Sequence, residues 1–207
     1  MEKVLILNAN SKSRDYSRTA KIADAFTNAY RESNQYHEIT KVDLYELDNP
    51  DIDKDVMAAI GYLRSDGDFN ILGEEVKSKL RKRTEILEQF KSADKIVLSA
   101  PMWDLSNPSV VKKWIDTIVV SDETFKYTEK GPVGLVKDKK VLFIQTTGGD
   151  YSKMPGMNFG LNHFKAIMNF LGISDFTSIV AYGMDVGLEE LNLQEAINEA
   201  INIAKKF

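Results

Sequence analysis

The sequence predicts an α/β fold, in which short buried strands alternate with amphipathic helices. Two observations carry this prediction. Four short runs are continuously apolar rather than alternating, which is typical of strands covered on both faces of a parallel sheet. The intervals between the runs repeat apolar residues at the spacing of a helix that buries one face. The four runs are Lys3–Ala9, Lys95–Ala100, Lys140–Thr146 and Thr177–Tyr182.

One further strand and six helices complete the pattern. Ile39–Leu44 alternates apolar and polar residues, which indicates an edge strand with one solvated face. The long interval from 49 to 90 exceeds one crossover and predicts two helices separated by a polar loop. The helical segments are Thr19–Tyr30, Lys54–Arg64, Glu74–Phe90, Val110–Val119, Phe164–Leu171 and Leu193–Ala204.

Repeated strand–helix units predict a five-stranded parallel sheet with helices on both faces, because crossover helices join parallel strands. Five such units suit the flavodoxin-like strand order 2-1-3-4-5. No linker, internal repeat or low-complexity tract interrupts the pattern, so we expect one domain over residues 1–207. In this fold the ligand crevice lies beyond the carboxyl ends of the strands, where the strand order reverses. The loops after Ala9, Ala100 and Thr146 should therefore form the site.

Composition excludes several classes of function. The chain of 207 residues carries a net charge of −4, no cysteine and two histidines. These counts exclude disulfides, thiolate zinc sites, cysteine nucleophiles and a multi-histidine metal centre within one chain. No apolar run approaches the roughly 18 residues of a spanning helix, and the N-terminus lacks a secretory signal. We expect a soluble cytoplasmic protein without metal, membrane or nucleic-acid partners.

The first loop, from Asn8 to Thr19, is rich in hydroxyl groups and ends where a helix begins. It contains neither GxGxxG nor a nucleotide P-loop. A helix N-terminus attracts anions, and here Ser11, Ser17 and Thr19 add neutral donors while Arg18 adds a charge. This combination suits a terminal phosphate monoester better than a bridging pyrophosphate. The simpler alternative is that Ser17 or Asp15 only caps the helix.

The other two loops suggest a flat apolar ligand. Met102 and Trp103 follow the third strand, where large apolar side chains are unusual for a solvated turn. Trp103 could instead pack under a neighbouring loop. In Gln145–Tyr151, Gly148 and Gly149 would let the backbone approach a ligand and donate N–H groups to its edge, or would simply form a turn.

Four segments resemble one known family over nearly the whole chain. They are Ser11 with the YSRT of Tyr16–Thr19, PMWDLSNPSVVKKWID at Pro101–Asp116, TFKYTEKGPVGLVKDKK at Thr124–Lys140, and TTGG at Thr146–Gly149. In this order and spacing they resemble the FMN-dependent NADH-azoreductases, also described as NADH:quinone oxidoreductases, of flavodoxin-like fold.

The resemblance implies an FMN site but no metal and no catalytic side chain. Phe125 would line the substrate side of the flavin, and Tyr151 would tune substrate recognition. Relatives often have Asn at the position of Asp104, and some have Arg at that of Thr147 and His at that of Tyr151. The implied FMN contacts are Ser11, Ser17, Arg18 and Thr19 for the phosphate and ribityl side, Pro101, Met102, Trp103, Asp104 and Leu105 around the ring, and Thr146, Thr147, Gly148 and Gly149 on its other side.

The resemblance also implies ping-pong turnover by a homodimer. NADH would reduce the flavin and leave, and a quinone or an aromatic azo compound would enter the same slot. The sequence leaves open whether NADH or NADPH is preferred and which acceptor is physiological. The alternative from another class is a flavodoxin-type electron carrier or a redox-sensing flavin-binding module. A serine hydrolase is excluded because no GxSxG is present.

One basic run lies within the charged helix. Lys77, Lys79, Arg81, Lys82 and Arg83 are flanked by four glutamates. This pattern is typical of a solvated helix face with i,i+4 ion pairs, and a nucleic-acid patch is the less favoured interpretation.

Overall fold

A computed structural model describes residues 1–13, 15–187 and 189–207, with the backbone but not the side chain of Pro155. In the described residues, five parallel strands form the main sheet and two antiparallel strands form a hairpin. In chain order the strands are β1 (Lys3–Asn8), β2 (Glu38–Asp43), β3 (Lys95–Pro101), β4 (Phe125–Thr128), β5 (Gly131–Gly134), β6 (Lys140–Thr146) and β7 (Asp175–Ala181). The main sheet has the order β2-β1-β3-β6-β7, which fits the predicted 2-1-3-4-5 once the hairpin strands are left out.

The helices occupy the intervals that the apolar spacing predicted. They are α1 (Arg18–Ser33), α2 (Lys54–Arg64), α3 (Glu74–Ser92), α4 (Ser109–Ile118), α5 (Phe159–Leu171) and α6 (Glu189–Ala204). The last two begin four or five residues before the predicted starts, because their first turns are largely polar or exposed and show little apolar periodicity. Among the described residues, no helix combines the length and apolar character needed to cross a bilayer.

Each face of the sheet has its own apolar core. Side chains alternate across a strand, so Leu5 and Leu7 of β1 pack on one face while Val4 and Ile6 pack on the other. The first face is covered by α3, α4 and α5, which contribute residues such as Trp114. The second is covered by α1 and α6. The predicted helix layers on both faces are confirmed, and they leave the carboxyl edge of the strands open for a site.

The hairpin of β4 and β5 was not predicted. Its segments are short and mostly exposed, so they lack the apolar signal of a strand. The hairpin packs against the end of α5, where the Val136 N–H donates to the Leu171 carbonyl at 2.9 Å. A Cβ atom at Gly134 would lie 2.2 Å from Gly172 N, so only glycine permits this approach.

The prediction that the basic run forms a solvated face of α3 is wrong for two residues. Lys77 and Arg83 are buried. The Arg83 guanidinium donates to the Asp116 carbonyl at 2.8 Å and to Thr117 Oγ1 at 3.2 Å, and burial lowers its pKa. The exposed part behaves as predicted, since Lys79 pairs with Glu75 one turn earlier. Charge pattern alone does not reveal an inward arginine that satisfies the carbonyls of a neighbouring helix.

Candidate functional site

A cleft of about 470 Å³ lies at the carboxyl ends of β1, β3 and β6. Its size is within the range of small-molecule sites. Ten of the residues predicted for the cofactor line it: Ser11, Ser17, Arg18, Thr19, Pro101, Met102, Trp103, Thr146, Thr147 and Gly148. A cavity of about 570 Å³ occupies the opposite edge of the sheet, where Lys140 and Asp175 begin β6 and β7.

Five predicted residues lie outside the cleft lining: Asp104, Leu105, Gly149, Phe125 and Tyr151. Gly149 directly follows the lining residue Gly148. Tyr151 lies beside Gly149, since a Cβ atom at Gly149 would be 3.1 Å from the Tyr151 ring. Phe125 is buried, and its ring centroid lies 4.7 Å from that of Phe170 and 5.4 Å from that of Tyr127. In a single chain, Phe125 therefore belongs to the hairpin and not to the cleft.

Ser17 is the N-cap of α1. Its Oγ accepts the Ala20 N–H at 3.2 Å and donates to Asn10 Oδ1 at 2.9 Å. The buried Asn10 in turn donates to Asn8 Oδ1 at 2.9 Å. The simpler interpretation of Ser17 as a cap is confirmed, while Asp15 is not the N-cap. The cap leaves other donors for a predicted anion, because the N–H groups of Arg18 and Thr19 have no acceptor within the helix.

Thr19 joins α1 to the end of β6. Its Oγ1 lies 2.6 Å from Thr146 Oγ1, and both residues are buried. Each hydroxyl has one hydrogen, so when one donates to the other, the second hydroxyl keeps its hydrogen for a ligand. The pair can therefore present one neutral donor to the cleft.

Arg18 lines the cleft, but its guanidinium contacts two carboxylates. Nη1 lies 2.6 Å from Asp185, and Nε and Nη2 bind Glu189 at 2.6 and 3.0 Å. Glu189 and, after it, Asp185 raise the pKa of Arg18. Both carboxylates follow β7, outside the three loops considered in the sequence, so neither was predicted.

The loop after β3 turns sharply. Trp103 and Ser106 exchange two backbone hydrogen bonds of 2.9 and 2.8 Å. Between them Asp104 and Leu105 have φ values of 48° and 63°, as both central residues of a type I′ turn require. The Leu105 carbonyl accepts the Phe159 N–H at 2.9 Å, so the turn also caps α5. Trp103 stays 42% exposed, which excludes the alternative that it is covered by a neighbouring loop.

The glycine loop after β6 is held by the loop after β7. The Met184 N–H donates to the Thr147 carbonyl, and the Asp185 N–H donates to the Gly148 carbonyl, both at 2.9 Å. A Cβ atom at Gly148 would lie 2.4 Å from Asp185 Oδ2. A side chain at position 148 would therefore require the Asp185 carboxylate to move, a contact that the sequence did not reveal.

Sequence reasoning missed part of the cleft. Asn10 carries a weak signal, because a polar residue just beyond a buried strand faces the crevice. No pattern distinguishes Lys12 and Lys21 from ordinary surface lysines. The missed lining residues are Asn10, Lys12, Asp15, Tyr16, Lys21, Met184, Asp185 and Glu189.

The site suits a cofactor with a terminal phosphate and a flat ring. The first turn of α1 offers backbone donors and hydroxyl groups, which suit a phosphate. Met102 and Trp103 offer an apolar wall. Gly148 also lines the cleft and has no side chain of its own, and the Asp185 carboxylate lies beside it. That the predicted residues contact FMN stays a prediction.

Comparisons with known proteins agree with this geometry. A family model described as flavodoxin-like fold matches residues 2–204. FMN-dependent NADH:quinone oxidoreductase 3 of Bacillus anthracis is 39% identical over 211 residues, covering 100% of both chains. An FMN-dependent NADH:quinone oxidoreductase of Geobacillus kaustophilus (strain HTA426) is 42% identical over 185 residues, covering 88% of each.

A solved structure shows the same arrangement. The crystal structure of an FMN-dependent NADH-azoreductase from Bacillus anthracis str. Ames Ancestor in complex with FMN superimposes with a TM-score of 0.94 at 34% identity, covering 100% of this chain and 99% of that one. The chain therefore belongs to the flavodoxin-like fold family, together with relatives named FMN-dependent NADH:quinone oxidoreductases and NADH-azoreductases.

Proposed function

We propose that this protein is an FMN-dependent NADH:quinone oxidoreductase that also cleaves aromatic azo compounds to amines. One observation carries the proposal: the start of α1, with its N–H and hydroxyl groups, and the apolar side chains of Met102 and Trp103 line the same cleft. The names of the full-length relatives support it. A terminal phosphate with a flat ring, which FMN has, matches both halves of the cleft.

The chain's own residues hold and orient the cofactor. Ser11, Thr19 and the first N–H groups of α1 would bind the phosphate. Bound FMN supplies two-electron chemistry, since it accepts electrons from NADH and passes them to an acceptor. The segment of Pro101, Met102, Trp103, Asp104 and Leu105 would hold the ring on one side, and that of Thr146, Thr147, Gly148 and Gly149 on the other.

The proposed turnover is ping-pong. The exposed ring of Trp103 leaves an open apolar wall on which a flat molecule can stack. A nicotinamide and an acceptor would stack in turn on the open face of the flavin beside this wall, and stacking there would tolerate many flat acceptors. Among the described residues that line the cleft there is no histidine, and we assign no catalytic side chain. NADH is the proposed electron donor. NADPH is the alternative donor, and its oxidation rate can be compared with that of NADH in the menadione assay described below.

We propose that the protein acts as a homodimer. Large apolar side chains are exposed at the cleft and around the start of α5, which is typical of a surface that another chain covers. They are Trp103, Met154, Met157 and Phe159. Phe125 and Tyr151 would then complete a substrate slot that a single chain leaves open.

The assay that tests the proposal is steady-state NADH oxidation with menadione, using protein saturated with FMN. The enzyme should consume NADH continuously. Double-reciprocal plots of the initial rate against NADH concentration, at several menadione concentrations, should give the parallel lines of ping-pong turnover. If the bound flavin is not reduced by NADH, the electron-carrier alternative is correct. Trp103→Ala should change the relative rates with different acceptors more than the content of bound FMN. The opposite result would place the substrate slot elsewhere.

A further inference from the structure

The start of α1 carries an unexpected charge. Arg18 is the first residue of the helix, where the helix dipole favours an anion rather than a cation. Three guanidinium nitrogens are engaged by Asp185 and Glu189, at 2.6, 2.6 and 3.0 Å. The side chain of Arg18 is 32% exposed, while those of Asp185 and Glu189 are 66% and 48% exposed, so solvent weakens these pairs but does not remove them. The guanidinium thus faces two carboxylates in the cleft where an anion is expected.

Both carboxylates are brought to the cleft by the backbone positions of their residues. The Asp185 N–H donates to the Gly148 carbonyl, and its carboxylate fills the space beside the Gly148 Cα atom. Glu189 is the first residue of α6, where a negative charge is favourable. Without Arg18, these two carboxylates would lose their partner in the cleft that Ser17 and Thr19 also line, where the other charged residues are Lys12, Lys21 and Asp15.

We propose that Arg18 is a positioning residue whose guanidinium screens Asp185 and Glu189 from the phosphate of FMN and does not itself bind the phosphate, which the backbone N–H of Arg18 can still reach. The inference rests on the proposed function, because it takes FMN as the ligand. The three side chains carry one positive and two negative charges, a sum of −1. Removing Arg18 changes that sum to −2, and removing both carboxylate charges changes it to +1. Affinity for a phosphate should follow this sum.

The experiment titrates FMN and riboflavin into flavin-free protein. The variants are Arg18→Ala, Asp185→Asn with Glu189→Gln, and all three changes together. Riboflavin has the same ring without the phosphate, so it reports on the ring site and on correct folding. Arg18→Ala should weaken FMN binding about tenfold and leave riboflavin binding within about twofold. The double variant should bind FMN at least as tightly as the wild type.

The triple variant decides between screening and direct binding. With no charge left at the three positions, the sum is less negative than in the wild type, so screening predicts that FMN affinity recovers at least to the wild-type value. If Arg18 contacts the phosphate itself, the triple variant should stay as weak as Arg18→Ala. Equal losses of FMN and riboflavin in Arg18→Ala would show a structural role and overturn the inference. Wild-type protein that binds neither flavin would instead contradict the proposed function.

Discussion

Two buried threonines of α1 allow a proposed ligand contact to be compared with a purely structural hydroxyl. Thr19 Oγ1 pairs with Thr146 Oγ1 at the cleft, whereas Thr27 Oγ1 donates to the Ala23 carbonyl at 2.7 Å within the helix. Thr19→Val should weaken FMN binding about tenfold. Valine has nearly the same shape as threonine but lacks the hydroxyl donor, whose hydrogen bond is worth about 1 kcal/mol or more. Isothermal titration with FMN measures the loss.

Thr27→Val is the matched control for that prediction. Both threonines are about 1% exposed, and both changes remove one intramolecular hydrogen bond. The two variants should lose similar stability, about 1 kcal/mol in chemical denaturation. Equal FMN affinity in the two variants would show that the phosphate does not bind at the start of α1.

Replacing glycine with alanine should have opposite effects on stability at two positions. Gly134→Ala places a Cβ atom 2.2 Å from the backbone of Gly172 and Leu171, so the hairpin must separate from α5. The loss in the free energy of unfolding should be about 3 kcal/mol or more. Gly61 lies in α2 with open space around it, and Gly61→Ala should raise stability by up to about 1 kcal/mol. Urea denaturation of both variants checks the pair. A well-tolerated Gly134→Ala would contradict the close contact of β5 with α5.

At the scale of elements, the turn after β3 links the cleft to α5. Asp104 has φ 48°, which Asn also adopts readily but a β-branched residue does not. Asp104→Val should lower the melting temperature and weaken FMN binding, because the turn positions Met102 and Trp103. Asp104→Asn should leave both within error. Thermal melts with and without FMN make the comparison. A tolerated valine would show that the turn does not depend on left-handed backbone at this position.

A second element-scale link joins the chain's N-terminus to β3 and α1. Lys95 is buried, donates to Tyr30 Oη at 3.0 Å and pairs with Glu2. The hydrogen bond from Lys95 lowers the pKa of Glu2 below its ordinary 4.5, against the opposing effects of burial and Asp94. His37 also lies near this cluster, 3.5 Å from the Glu2 carboxylate.

The sign of the resulting pH dependence follows from that lowered pKa. Stability from ionised Glu2 is fully present above pH 4.5 and is lost as pH falls through the lower folded-state value. Glu2→Gln should therefore be less stable than the wild type at pH 7, and the difference should shrink below pH 4. Denaturation curves from pH 3 to 7 measure it. A difference that does not change with pH would contradict the ion pair.

At the scale of the molecule, the sequence predicts the main sheet well for a physical reason. A strand covered on both faces must be continuously apolar, so Lys140–Thr146 is recognisable without its neighbours. The hairpin is not recognisable, because Gly131–Gly134 is stabilised by contact with α5 and not by its own pattern. Tertiary contacts between distant residues leave no local signal.

The same limit applies to the site. Ser17, Met102 and Gly148 were predictable, since loops after parallel strands must converge at one edge. Asp185 and Glu189 were not, because their role depends on Arg18, which lies 167 and 171 residues earlier in the chain. The fold class thus predicts where the cleft lies. Which charged residues line it is known only from the structure.

The central claim is that this cleft binds FMN. The direct measurement is an absorbance spectrum of the purified protein, followed by heat release of the flavin and its chromatography against FMN, FAD and riboflavin standards. We expect a yellow protein that releases FMN, or a colourless one that takes up added FMN and becomes yellow. Release of FAD, or folded protein that binds no flavin when FMN is supplied, would contradict the account.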